Sequence, residues 1–293
     1  MDVYSNQSVV RLRKRSLKRF EENVEATKLK LEAGTVTPTV LAEAQSKYAK
    51  AKYELILAEG NLNNYTSKLK SITKLKNVPS DLKLPKLNFK IPKTVNKAVE
   101  VSLENNPIIL VAKLEKDIAK KNVDLKKSNN RPSLKMEFFG KDSQSSVNTS
   151  ASDYQSYGAN LTFSTPLFYN ESTKDNIRRL DKLFIATSFD LSEKNRQVEL
   201  NAISSYQNYK STLAKTSASR SEKISSLLAL NGIKKEAQFG IRTVLDVLDA
   251  EVEYLNASTN VIKSKADEIY SQFHIKSILG NLSIKDINRD YKV

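Results

Sequence analysis

Phe239-Gly240-Ile241-Arg242-Thr243-Val244-Leu245-Asp246-Val247-Leu248-Asp249-Ala250 reads as a sharp reversal between two helices. Glycine is the residue that ends a helix in the left-handed conformation at least cost, and a threonine three residues later is a standard N-cap for the next helix. Asp246, three residues after Thr243, completes a box-like cap and puts a carboxylate beside the positive end of the helix dipole. The same spacing occurs 206 residues earlier, in Gly34-Thr35-Val36-Thr37-Pro38-Thr39-Val40-Leu41-Ala42-Glu43-Ala44. There Pro38 follows the N-cap at the first helical position, where its missing N–H leaves nothing unpaired. Two such reversals predict two helical hairpins side by side in one bundle.

Periodicity extends this reading outward from each turn. Leu41, Ala44, Tyr48, Ala51, Leu55, Ala58, Leu62, Tyr65, Leu69 and Ile72 alternate spacings of three and four without a slip. So do Leu248, Val252, Leu255, Thr259, Ile262, Ala266, Ile269 and Phe273. Both are seams of coiled-coil type. Val3, Val10, Leu17, Val24 and Leu31 recur every seven residues ahead of the first turn. The helix from Thr37 to Ile72 alone is then roughly 50 Å long at 1.5 Å per residue.

Composition agrees. The 293 residues hold seven Gly and seven Pro, far below the usual ~7% and ~5%, too few turn formers for a many-stranded sandwich or a βαβ fold. All seven prolines precede Leu167, so the remainder is expected to be almost wholly helical. Hydrophobic residues make up 39%, which organises apolar surface into narrow stripes. With no Cys there is no disulfide framework or thiolate chemistry. Forty-eight Lys and Arg against 33 Asp and Glu give a net charge of +15, which raises nucleic acid or an anionic surface as partners. Lys is spread along the whole chain, however, as a solvated helix surface would have it. The densest cluster, Arg11, Arg13, Lys14, Arg15, Lys18 and Arg19, fits an outer helix face. The longest apolar run, Ile108 to Ala112, is far short of the ~20 residues of a membrane-spanning helix.

Between the turns the texture changes. Asn77 to Pro92 carries three prolines and reads as an extended crossing, followed by short helices at about Thr94–Glu104 and Ile109–Lys127. Leu134, Met136 and Phe138 then alternate with polar residues, as do Tyr157, Ala159, Leu161 and Phe163. The two segments, Pro132–Lys141 and Gln155–Thr165, have the length and the two-faced pattern of tilted bilayer-crossing strands, joined by a Ser-rich loop from Asp142 to Asp153. The expected organisation is a first helical hairpin over 1–76, a crossing with short helices over 77–131 and a β-hairpin over 132–167. A second helical hairpin occupies 168–282, then a tail 283–293. A lone hairpin leaves strand edges open in lipid, and the 206-residue offset places its expected first-repeat counterpart upstream of Met1.

The residues that carry these features resemble the TolC family of outer-membrane channel proteins. The match is strongest from Phe239 to Ala250 and on to Ile275-Lys276-Ser277-Ile278-Leu279-Gly280-Asn281-Leu282. It continues in Gly34 to Gln45, Ala58-Glu59-Gly60-Asn61-Leu62, Asn105-Asn106-Pro107 and Ser164-Thr165-Pro166-Leu167-Phe168. The resemblance implies a mainly α fold: long antiparallel coiled-coil hairpins forming an α-barrel, with one β-hairpin contributing to a trimeric transmembrane β-barrel. It implies a homotrimer in the outer membrane and periplasm, surrounded in part by outer-membrane lipid. Its tips would dock a periplasmic membrane-fusion adaptor, with an inner-membrane RND or ABC transporter driving cargo through a passive efflux or type I secretion conduit.

By the same resemblance Asp246 and Asp249 fall on the family's constricting acidic positions, and Arg242 on the basic residue that ties neighbouring hairpins in the closed state. Ala237 stands where the best-known members have a tyrosine latch. Gly34, Thr37, Gly240 and Thr243 are the adaptor-docking tips, although each need only be a turn or cap residue. No cofactor or metal is expected: His274 is the single histidine, and nothing forms a phosphate loop, a nucleophile set or a metal constellation, which makes an enzyme the weakest reading. The competing reading is a soluble basic coiled-coil protein that binds nucleic acid or an anionic surface.

Overall fold

The computed structural model describes residues 1–82, 84–85, 90–143, 154–167 and 171–283. Most of the Ser-rich loop, parts of the proline-rich crossing and nearly all of the C-terminal tail lie outside the described residues. Among the described residues, six helices and one strand pair are arranged in the order α1 (Asp2–Glu32), α2 (Pro38–Thr73), α3 (Val95–Asn105), α4 (Pro107–Ser128), β1 (Ser133–Ser143), β2 (Tyr154–Ser164), α5 (Glu171–Gln238) and α6 (Val244–Ile278). The chain divides into two units: residues 1–106 with 199–293, and residues 107–198.

In the first unit α1 and α2 form one antiparallel hairpin, and the second part of α5 forms another with α6. The α2 and α6 seams supply much of the core. Ala44, Ala51, Leu55 and Ala58 of α2 and Leu248, Leu255, Thr259, Ala266 and Ile269 of α6 are buried. Phe20, Ala44, Ala51 and Leu248 make one cluster, joined by Val244 and Val252, so the start of α6 is seated directly on the α1–α2 hairpin. Small residues on α2 allow close helix approach and leave room for Phe20, the largest fully buried side chain. The heptad valines and leucines of α1 only partly mark its core face, because Val9, Ser16, Phe20 and Thr27 are buried alongside Val3 and Val10.

The far end of the α2 seam departs from expectation. Tyr65 and Ile72 stay exposed, because with Leu69 they line a hollow of about 290 Å³ between the start of α1, the end of α2 and the residues Leu82, Leu84 and Pro85. Beside the apolar contact of Tyr206 with Ile275 and Leu279, the α5–α6 pairing carries several side-chain polar bonds. The Thr216 hydroxyl donates to the Ser264 carbonyl (3.1 Å), Thr212 pairs with Ser271 (2.8 Å), and Ser205 meets His274 (3.2 Å). The α6 helix ends on Gly280, whose φ of +76° requires glycine. A Cβ there would also strike the Asn105 carbonyl oxygen at 2.2 Å. Asn106 secures the contact by donating its side-chain amide to the Ile278 carbonyl (2.9 Å). The Asn105-Asn106-Pro107 motif therefore anchors the end of α6.

In the second unit α4 and the first part of α5 meet through an ion pair between Lys127 and Asp181 (3.7 Å) and through Lys116 over the Phe184 ring (6.0 Å). Strands β1 and β2 pair antiparallel from Ser133↔Ser164 to Ser143↔Tyr154. This register puts Leu134, Met136 and Phe138 opposite Phe163, Leu161 and Ala159 on one continuous apolar face. On the other face the Phe139 ring covers Gly158, leaving no room for a Cβ (2.6 Å). Such aromatic cover over a strand glycine pins register. No described helix is long and apolar enough to cross a membrane.

Candidate functional site

The two turns have the same backbone. In the first, the Gly34 amide donates to the Leu31 carbonyl (2.9 Å) and Thr35 to Lys30 (2.9 Å); in the second, Gly240 donates to Ala237 (3.2 Å) and Ile241 to Glu236 (2.9 Å). That pair of bonds is the Schellman motif, and it needs the left-handed residue that both glycines supply at φ +70° and +76°. Nothing crowds either glycine, so conformation alone selects them.

The helix starts beyond the two turns differ. Thr243 forms a complete capping box: its hydroxyl accepts from the Asp246 amide (3.1 Å), while its own amide donates to Asp246 Oδ2 (2.8 Å). The Thr243 hydroxyl also donates to Asp246 Oδ2 (2.9 Å). Thr37 sits at the equivalent N-cap with extended backbone, yet its side chain makes no capping bond. Val40 in place of an acid can return nothing, and its amide donates to the Thr37 carbonyl instead (3.1 Å). Backbone and hydroxyl bonds from Thr243, with Arg242 nearby, hold the Asp246 carboxyl below its ordinary value of 3.8. Arg242 donates from Nε to Glu236 Oε2 (3.0 Å), and that bond, with the charges of Glu236 and Asp246, raises its pKa above the ordinary arginine value.

Asp249, one turn after Asp246, remains 70% exposed and pairs with Lys47 of α2. The two carboxylates named from the sequence thus do different local work: Asp246 caps its helix, and Asp249 ties the second hairpin to the first. Arg242 is paired inside its own hairpin with Glu236, a residue that no sequence motif singles out.

Among the described residues, the most deeply placed charge is also one that the sequence motifs miss. Glu251 is only 4% exposed, where Lys234 of α5 donates to it at 2.6 Å and the Asn23 side-chain amide of α1 at 3.4 Å. Glutamate beside a heptad seam reads as surface. The available signal was hairpin arithmetic, because Lys234 lies six residues before Gly240 and Glu251 eight after Thr243. Across an antiparallel pair such positions face each other.

Between the two turns lies a groove of about 730 Å³. Gly240, Thr37 and Thr243 line it, together with Val36, Val40, Val247 and the cations Lys30, Lys234 and Arg242. Of the basic cluster on α1, Arg11, Arg13 and Lys14 pair with Asp81, Glu54 and Glu59. Three of the cluster's six cations are thus ion-paired.

The sequence pattern described as Outer membrane efflux protein matches residues 98–281, more than half of the chain. The chain belongs to this outer membrane efflux protein family. The outer membrane protein TolC of Vibrio cholerae is 26% identical over 280 residues, covering 92% of this chain and 64% of that protein. The chain therefore spans about two thirds of that relative's length or less. Among solved structures, CusC superposes with a TM-score of 0.78 at 15% identity, covering 96% of this chain and 67% of CusC. The open state of the MtrE outer membrane channel of Neisseria gonorrhoeae gives 0.74 at 17% identity, with 95% and 64% coverage. Those two likenesses are of fold. The efflux-family fold, mainly helical with one β-hairpin, is as the sequence leads one to expect, and the family's place is the outer membrane.

Proposed function

We propose that this chain is a subunit of the outer-membrane channel of a tripartite efflux pump or type I secretion system, a conduit with no chemistry of its own. The observation that carries this reading is the β-hairpin. Its strands are eleven residues each, the length that crosses a bilayer at a tilt. Its apolar face is bare, with Phe138 74%, Tyr157 77% and Leu161 68% exposed, a face suited to lipid rather than water. Because an open sheet edge is not tolerated in lipid, hairpins from several copies close the barrel, and the family's homotrimer is the assembly we assign.

Within this reading the turns at Gly34, Thr37, Gly240 and Thr243 dock a periplasmic membrane-fusion adaptor, with an inner-membrane RND or ABC transporter behind it. Asp246, Asp249 and Arg242 form the gate. The 206-residue repeat supports a common role for both turns, and only the second has the acidic pair. Threefold symmetry turns each carboxylate into a ring of three that binds cations and obstructs the path. The domain organisation from 1–76 to 283–293 accords with the same plan.

The test is assembly. Set in a full-length channel protein with an export signal, the chain is expected in the outer-membrane fraction as part of a detergent-resistant trimer that gives discrete conductance steps in planar bilayers. Recovery as a soluble monomer that binds duplex DNA with a steep salt dependence would replace this reading with the basic coiled-coil one.

A further inference from the structure

We propose that the polar face of the β-hairpin carries a subsite for aromatic carboxylates, built from Lys141, Tyr154 and Phe139; this rests on the channel reading, in which that face lines the water-filled interior of a barrel. The strand register sorts the charges. Lys135, Glu137 and Lys141 share the face that points away from Leu134, Met136 and Phe138. Lys135 and Glu137 neutralise each other at 2.9 Å, whereas Lys141 enters no described ion pair. Its ammonium stands instead 5.6 Å from the centre of the Tyr154 ring, within the range of a cation–π contact. Such a contact uses no hydrogen-bond acceptor, so the ammonium keeps its three donors for a ligand.

Two rings flank this cation on a face otherwise made of small or polar side chains. Phe139 stands two residues before Lys141 on β1, and Tyr154 opposes Ser143 one step nearer the loop. The Phe139 ring lies over Gly158, where a Cβ would stand only 2.6 Å from it. That bed holds the ring flat against the sheet and leaves its outer side open. Phe139 remains 43% exposed and Tyr154 49%. An anion with a flat apolar body matches this arrangement, its carboxylate on Lys141 and its ring against Phe139 or Tyr154. A saturated carboxylate would meet the charge without the stacking, and an aromatic cation would meet like charge. Threefold symmetry repeats the subsite around the barrel wall.

The test sets the chain in a full-length channel protein and titrates its planar-bilayer current with 2-naphthoate, cyclohexanecarboxylate and 2-naphthylmethylammonium, each added on the side of the strand loop. Naphthoate is expected to block at a concentration several-fold lower than cyclohexanecarboxylate. Lys141→Gln, an exposed change, is expected to raise the half-blocking concentration of naphthoate about tenfold, about what one charge-assisted bond gives, without raising that of the ammonium. Lys141→Arg should keep the block, and Tyr154→Leu should reduce naphthoate to the level of the saturated acid. Naphthoate block unchanged in Lys141→Gln, or equal block by the two acids in the unaltered channel, would overturn the subsite while trimer and conductance leave the channel reading standing. Absence of both trimer and conductance would overturn the channel reading, and the subsite with it.

Discussion

The two helix turns share one backbone and differ in nearly everything attached to it. Both close on a left-handed glycine through the same two carbonyl bonds. The first then enters α2 through Pro38 with an idle Thr37 hydroxyl, while the second enters α6 through a filled capping box. The second hairpin is also held from outside, by Lys47 on Asp249, by Asn23 on Glu251 and by Leu248 in the Phe20 cluster. Under the docking role proposed for both turns, this shared geometry is the part the repeat would have to keep. The added charges distinguish the second turn, in keeping with the gate role proposed for it.

The largest effect is expected where the control is buried. Lys234→Met leaves Glu251 without its cation and should lower unfolding stability in urea by about 2 kcal/mol, less than the ~3–5 of a fully buried pair because Lys234 is 40% exposed. Adding Glu251→Leu should restore most of the loss. A loss that the double variant does not recover would mean that the pair is not the unit of stability.

Next come the turns themselves. Gly34→Ala and Gly240→Ala should each cost about 1–2 kcal/mol through left-handed strain alone. Near-equal values would establish that the backbones are equivalent, and a marked inequality would break the comparison. The caps should then separate them. Thr243→Ala should cost about 1 kcal/mol and Thr37→Ala close to nothing, whereas Val40→Asp should create the missing cap and stabilise α2 by a few tenths of a kcal/mol.

The smallest effect is in acid. Because the folded Asp246 carboxyl is held below its ordinary value, its contribution is complete above that value and is lost as pH falls through the lower, folded one. Carboxyl-carbon NMR should show Asp246 titrating below the unfolded range of ~3.9, and Thr243→Ala should return it there.

Much of this was legible in the sequence for a physical reason. Gly34, Gly240 and Thr243 answer to local conformational rules, and the α6 seam answers to a period, so residue type and spacing suffice. Phe20, Glu251 and Gly280 do not. Phe20 lies off the strict heptad of α1, and its burial is decided by the small residues Ala44 and Ala51 of another helix. Glu251 is buried because Lys234 comes to it across the hairpin, and Gly280 is required by the Asn105 carbonyl as well as by its own φ. Each depends on a partner distant in sequence, which no local rule reports. Gly60 and Gly232 lie inside helices where a Cβ would meet nothing, and nothing in the structure explains either.

The difference between the turns is tested most directly by conductance. Asp246→Ala with Asp249→Ala, placed in a full-length channel protein in planar bilayers, should raise closed-state conductance or weaken block by multivalent cations, while Val40→Ala in the first turn should change neither. Unchanged conductance and unchanged block in the double variant would contradict the assignment of the second turn as the gate.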